Sequence, residues 1–117
     1  MKDISLHENE KALFGVRRKM HYGVELNDAE NKVLCAAKDT LGYLIIYDET
    51  ERTNRSEMFY KLYLQPKNHG RTLLSIASEV GCDVRSLIRY KKKLLGVFEC
   101  VVERMNRERS FSDYVGS

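Results

Sequence analysis

The chain contains 117 residues, of which 43% are hydrophobic and 32% are charged, and its formal net charge is +3. This length suits one domain that buries its own core, so neither a second domain nor a disulfide or metal scaffold is required. The longest apolar run, Leu41 to Tyr47, is far shorter than the roughly 20 residues of a membrane-spanning helix. A single proline and many helix-forming residues favour an all-α fold.

The cysteines and histidines give no sign of a disulfide or metal framework. The cysteines are Cys35, Cys82 and Cys100. Their odd number, the lack of a CxxC pair and the lack of a secretory signal predict reduced thiols and a cytoplasmic location. The three histidines are dispersed, without Glu or Cys at ligand spacing. The sequence therefore predicts no metal and no other cofactor.

Two capping patterns predict the starts of the first two helices. Residues 5–8, SLHE, have the spacing of a capping box and predict a helix to about Met20. Residues 27–30, NDAE, predict a second helix that ends at about Tyr47. Gly42 lies inside this second helix, where it indicates either the close approach of a neighbouring helix or a bend.

A polar segment and a third helix follow. Residues 48–56, DETERTNRS, are interpreted as a loop, with their acidic residues exposed to solvent. A third helix is predicted from about Arg55 to Leu64. It is expected to end there because the residue before Pro66 disfavours helical dihedrals. The aromatic residues of this region are assigned to the core rather than to base stacking. They are Tyr43, Tyr47, Phe59, Tyr60 and Tyr63.

Residues 73–92 have the spacing of a helix-turn-helix. Ala77 is placed where two helices come close, and Gly81 supplies a permissive backbone at the turn four residues later. Thr72 and Asp83 are positioned to cap the helices before and after that turn. This segment therefore predicts a pair of short helices crossing at a tight turn.

The helix after the turn is predicted to be long, because its apolar residues recur as far as Met105. Gly96 is a candidate interruption of this helix, and residues 110–117 are expected to fray. Tyr90 is interpreted as a residue buried between the two helices rather than as a stacking platform.

Positive charge is concentrated in the C-terminal half of the chain. Residues 1–65 hold ten Lys or Arg against eleven Asp or Glu, whereas residues 66–109 hold ten against five. A clustered basic surface suits phosphate binding, because it releases counterions from a nucleic-acid backbone. The plainer interpretation of such a charge run is a solvated helix face. The helix-turn-helix spacing favours nucleic acid.

Helical periodicity assigns roles to the polar residues of the motif. Arg85, Ser86 and Arg89 lie near the start of the second helix and are predicted to contact DNA bases in the major groove. A second set is predicted to contact phosphates. It comprises Arg71, Thr72, Ser75, Lys91, Lys92 and Lys93. No catalytic residues are predicted, because the chain has no nucleophile motif, no phosphate-cradling glycine loop and no identifiable carboxylate pair.

From about residue 59 to 102 the chain resembles the fourth-region helix-turn-helix of bacterial sigma factors. It resembles more closely the sigma-like regulators of phages and prophages, such as the ArpU-type late-transcription family. The resemblance rests on IASEVG at 76–81 and VRSLIRYK at 84–91. It implies a transcription regulator that reads promoter or operator bases through Arg85, Ser86 and Arg89. Residues 1–56 resemble no promoter-melting region, which favours an accessory regulator over a complete sigma factor.

The expected fold is an all-α domain of five helices. Residues 1–65 form a helical platform, residues 66–109 form the DNA-binding unit of the same compact domain, and residues 110–117 are a tail. Double-stranded DNA is the expected partner, and a homodimer fits because one helix-turn-helix reads only a half-site. Two alternatives remain open. One is a DNA-packaging protein like the phage terminase small subunits, and the other is a helical adaptor that binds RNA polymerase or another protein without binding DNA.

Overall fold

The computed structural model of the protein describes residues 2–116, and the side chains of residues 6–108. The five α-helices are α1, Lys2–Tyr22; α2, Asp28–Glu51; α3, Arg55–Phe59; α4, Leu73–Val80; and α5, Val84–Gly116. A π-helical turn at Tyr60–Leu64 continues α3, and a 3-10 turn spans Pro66–Asn68. Residues 2–116 contain no strand, so the prediction of an all-α fold with five helices is confirmed.

The predicted starts of the first two helices have different outcomes. At α2 the predicted capping box is confirmed, since the Asn27 side chain accepts a hydrogen bond from the Glu30 N–H at 2.8 Å and the Glu30 carboxylate accepts one from the Asn27 N–H at 2.9 Å. Helix α1 already begins at Lys2. The predicted start at Ser5 is therefore wrong, and the Ser5 side chain lies outside the described residues.

The predicted loop at residues 48–56 is shorter in the structure, because α2 continues to Glu51 and only residues 52–54 separate it from α3. Arg52, which caps the end of α2, has a φ of 55°. Asp48 lies in the last turns of α2 and caps the start of α3. Its carboxylate accepts hydrogen bonds from the N–H groups of Arg55 and Ser56, both at 2.9 Å, and from the hydroxyls of Ser56 and Thr53. One side chain thereby joins two helices across a three-residue connection.

Burial of one stripe of α5 organises the core. Leu87, Leu94, Phe98 and Val101 are all buried, and α5 packs against α1, α2, α3 and α4. Each such side chain contributes about 1.5–3 kcal/mol when it leaves water. Because these residues recur at spacings of three, four and seven, one face of α5 is fixed inward and the opposite face is left to solvent.

The aromatic cluster divides between core and surface. Phe59 and Tyr63 are buried with ring centroids 5.4 Å apart, as predicted. Tyr43 and Tyr60 are 55% and 41% exposed, so their assignment to the core is wrong. Sequence periodicity alone could not separate the two pairs, because all four lie on helices with apolar neighbours and only the positions of the other helices decide which faces are covered.

The turn between α4 and α5 has the geometry that the spacing predicted. Gly81 has a φ of +80° and ends α4, while the Cys82 N–H donates to the Ala77 carbonyl at 3.0 Å. The Asp83 carboxylate then accepts a hydrogen bond from the Ser86 N–H at 2.7 Å, which caps α5. The left-handed backbone at Gly81 strongly favours glycine.

Gly42 and Gly96 are in ordinary helical backbone, and α2 and α5 run through them without interruption. No heavy atom outside the local helix lies within 4 Å of a Cβ built at either position. The predicted interruption at Gly96 is therefore wrong, and close helix approach does not explain Gly42. The backbone of α5 is helical as far as Gly116, and the fraying expected of residues 110–117 stays a prediction.

We expect Asp48→Ala to lower the free energy of unfolding by about 1 kcal/mol at neutral pH, as loss of a helix cap does. Burial alone would raise the pKa of Asp48, but its hydrogen bonds from Ser56, Thr53 and Arg55 hold that pKa below its usual value. The stabilisation is complete above the pKa of the unfolded chain and is lost as the pH falls through the folded pKa. Urea unfolding at neutral and acid pH measures both effects.

Asp39→Ala is the matched control for Asp48→Ala, because Asp39 is an exposed carboxylate on the same helix. An equal loss of stability in the two variants, or a loss at Asp48 that persists in acid, would contradict the capping role.

Gly81→Ala and Gly42→Ala should change stability in opposite directions. Alanine at Gly81 meets no atom within 4 Å but must adopt a positive φ, so we expect a loss of about 1–2 kcal/mol. Alanine at Gly42 fits the helix and should add about 0.5–1 kcal/mol. Urea unfolding of both variants checks this pair, and stabilisation by Gly81→Ala would mean that the turn has another backbone.

Candidate nucleic-acid interface

The buried side of the helix-turn-helix determines which residues face outward. Ile76, Ala77 and Val80 of α4 and Leu87 of α5 are buried, and Tyr90 is half-buried against the same core. With these side chains turned inward, helical periodicity leaves positions 85, 88, 89 and 92 together on the opposite side of α5. All four are exposed.

Arg85 and Arg89 both extend into solvent near the start of α5. An Arg89 Nη2 donates a hydrogen bond to the Ser86 hydroxyl at 3.1 Å, which brings together two of the residues predicted to contact bases. Neither arginine forms an ion pair with a carboxylate of residues 6–108. The pKa of Asp83 is lowered, first by the Ser86 N–H and hydroxyl and to a smaller extent by the Arg89 charge.

The three consecutive lysines have different environments. Lys92 and Lys93 are exposed, and the Lys93 Nζ lies 5.9 Å from the centroid of the Tyr90 ring. Lys91 instead forms an ion pair with Glu10 of α1 at 3.2 Å, and the same carboxylate accepts a hydrogen bond from the Tyr63 hydroxyl at 2.7 Å. The charge of Lys91 is therefore compensated within the molecule.

The predicted phosphate contacts before and within α4 are also engaged internally. An Arg71 Nη1 lies 2.6 Å from the Glu79 carboxylate, and Arg71 also donates to the Ser75 hydroxyl. The Thr72 hydroxyl accepts a hydrogen bond from the Ser75 N–H at 3.1 Å and so caps α4. Hydrogen bonds from Lys61 and Arg71 lower the pKa of Glu79 to about 2. These residues hold the start of α4 in place.

Two exposed apolar residues, one on α4 and one on α5, received no role from the sequence. Ile88 is 39% exposed and lies on the stripe formed by Arg85, Arg89 and Lys92, while Leu74 of α4 is 69% exposed. An apolar side chain among cations suits contact with a thymine methyl group in the major groove. The sequence did not indicate that these side chains are exposed, because apolar residues at helical spacing usually belong to the core.

A second basic region, absent from the sequence predictions, lies between α1 and the segment before α4. It is a cleft of about 600 Å³. Its lining residues are Lys11, Phe14, Gly15, Arg17, Arg18, His69, Gly70 and Arg71. The rings of His21 and His69, which are far apart in the sequence, lie 5.2 Å apart beside it. Tertiary packing alone brings these two segments together.

The described part of the chain lacks two other features. Its side chains include no group of three or more His, Cys, Asp or Glu residues arranged to hold a metal ion. Among its helices, none combines the length and apolar character that crossing a membrane requires.

Lys91→Ala should lower the free energy of unfolding by up to about 1 kcal/mol, because it breaks the ion pair with Glu10. Lys92→Ala should leave stability unchanged, since Lys92 is exposed and its side chain makes no ion pair with residues 6–108. Urea unfolding of the two neighbouring variants distinguishes them, and equal stabilities would show that the Glu10 contact contributes nothing.

The comparisons with known proteins identify no relative of the chain: no family model, curated protein or solved structure matches it. The resemblance to sigma-like phage regulators, and the DNA contacts that it implies, therefore stay predictions.

Proposed function

We propose that this protein is a sequence-specific DNA-binding regulator of transcription, of phage or prophage type, which acts by binding and not by catalysis. One observation carries the proposal. Arg85, Arg89 and Lys92 form an exposed stripe on a helix that follows a tight glycine turn, and none forms an ion pair with a carboxylate of residues 6–108. A protruding helix with unneutralised cations suits the width and the negative potential of a DNA major groove.

The proposed recognition begins at the first turns of α5. An arginine guanidinium donates two parallel hydrogen bonds to the N7 and O6 atoms of guanine, and one such pair provides about 1–3 kcal/mol of discrimination against other bases. Arg85 and Arg89 take this role, and the Ser86 hydroxyl supplies a shorter contact. The exposed Ile88 side chain between the arginines adds a surface for a thymine methyl group.

Of the residues predicted to contact phosphates, the exposed lysines are the ones retained in this proposal. Lys92 and Lys93 are exposed and offer flexible ammonium groups that need no planar geometry. Lys91 and Arg71 can neutralise a phosphate only after their ion pairs with Glu10 and Glu79 are broken. Their part in the proposed complex is to orient α4 and α5.

The proposal is tested by selecting bound sites from random DNA duplexes and measuring affinities for the recovered sequence. Arg85→Ala and Arg89→Ala should each reduce the preference for that sequence by about 10- to 100-fold, which corresponds to about 1–3 kcal/mol. Lys92→Ala with Lys93→Ala should weaken binding to all duplexes and reduce the slope of log affinity against log salt concentration by about 2.

Arg104→Ala is the matched control, because Arg104 is an exposed arginine of the same helix. It lies about 28 Å from Arg85 along the helix axis. This substitution should leave affinity and preference unchanged. Absence of saturable binding to any duplex at physiological ionic strength would reject the proposal and favour an adaptor that binds an acidic protein surface. Inverted repeats among the selected sites would indicate a homodimer, since each copy reads one half-site.

A further inference from the structure

Arg17 of α1 is a buried cation without a carboxylate partner among residues 6–108. It is only 7% exposed, its Nη1 donates to the Leu62 carbonyl oxygen, and its guanidinium lies over the Phe14 ring at 4.8 Å. Its Nε has no hydrogen-bond partner among the described residues. A buried charge in this state is unfavourable unless an anion compensates it.

The basic cleft described above surrounds this arginine with further positive charge. Lys11 and Arg18 are exposed on α1 beside it and form no ion pair with residues 6–108. The pKa of His69 is lowered by burial and by the positive charges of His21, Arg17 and Arg18. Among residues 6–108, the carboxylate that forms an ion pair with a residue lining the cleft is that of Glu79, and Lys61 and Arg71 already share it.

The main chain at Gly70 forms an accessible part of the cleft wall. Gly70 has a φ of +83° and no heavy atom within 4 Å of a Cβ built on it, so a ligand can approach its main chain closely. Arg71, the next residue, lies directly before the Thr72 cap of α4. The cleft therefore adjoins the helix-turn-helix along the chain, although most of its charge comes from α1.

We infer that this cleft binds a phosphate group between Lys11, Arg18 and the buried Arg17. Arginine forks and a lysine ammonium match the oxygens of a phosphate, and its negative charge compensates the buried guanidinium. The phosphate comes either from the backbone of a bound duplex or from a free phosphate ion. The first source rests on the proposed function, whereas the second does not.

Titration of the ¹⁵N-labelled full chain with inorganic phosphate, at constant ionic strength set with chloride, tests the site without DNA. Saturable shifts of the Gly70 amide and the Arg17 side-chain Nε–H are expected in the unaltered protein. They should be lost in the double variant Lys11→Ala, Arg18→Ala, which alters only exposed side chains. The double variant Lys32→Ala, Lys38→Ala removes the same charge from the exposed surface of α2 and should keep the shifts.

DNA titrations of the same variants distinguish the two phosphate sources. The slope of log DNA affinity against log salt concentration is compared between the variants. If it falls by about 1–2 in the Lys11, Arg18 variant and is unchanged in the Lys32, Lys38 variant, the cleft binds a backbone phosphate of the duplex. An unchanged slope together with saturable phosphate shifts identifies a free phosphate ion. Phosphate shifts in a protein that binds no duplex support the cleft and reject the proposed function.

The inference is overturned if inorganic phosphate produces no saturable shift and the salt slopes of the two double variants agree. It is equally overturned if the Lys11, Arg18 variant retains the phosphate shifts of the unaltered protein, because the site would then lie elsewhere.

Discussion

The arrangement of this protein depends on burial of one apolar stripe along α5. Leu87 anchors the helix-turn-helix, while Leu94, Phe98 and Val101 continue the same stripe into the packing with the other helices. One helix is thus both the exposed part of the motif and the central element of the core. Since the stripe cannot rotate without exposing these side chains, the direction in which Arg85 points is determined by hydrophobic packing and not by any polar contact.

The carboxylates of the molecule divide its cations into two groups. Glu10 and Glu79 neutralise Lys91 and Arg71, and these ion pairs connect α5 with α1 and the start of α4 with its end. Cations outside such pairs are the ones able to attract a polyanion at full strength, because a pre-existing ion pair must be broken before a phosphate is bound. The proposed DNA surface and the proposed phosphate cleft both consist mainly of this second group.

The basic cleft beside α1 is a proposed phosphate site that no sequence motif marks. Arg17 lies in a segment where acidic and basic residues balance, so composition gives it no distinction. Its proposed role rests on burial, since no carboxylate of residues 6–108 pairs with this guanidinium and a buried unpaired charge is unfavourable. The loop before α4 brings His69 and Gly70 to this point, and no spacing rule connects residues 17 and 69.

The sequence by itself determined the features that short spacings encode. The capping box at Asn27, the left-handed turn at Gly81, the cap at Asp83 and the outward position of Arg85 all follow from contacts or periodicities within a few residues. Only the tertiary structure decided which cations are neutralised, which aromatic rings are exposed, that Asp48 caps the next helix, and that a basic cleft exists. These features depend on distances between helices, and such distances are set by the packing of the entire core rather than by any local pattern.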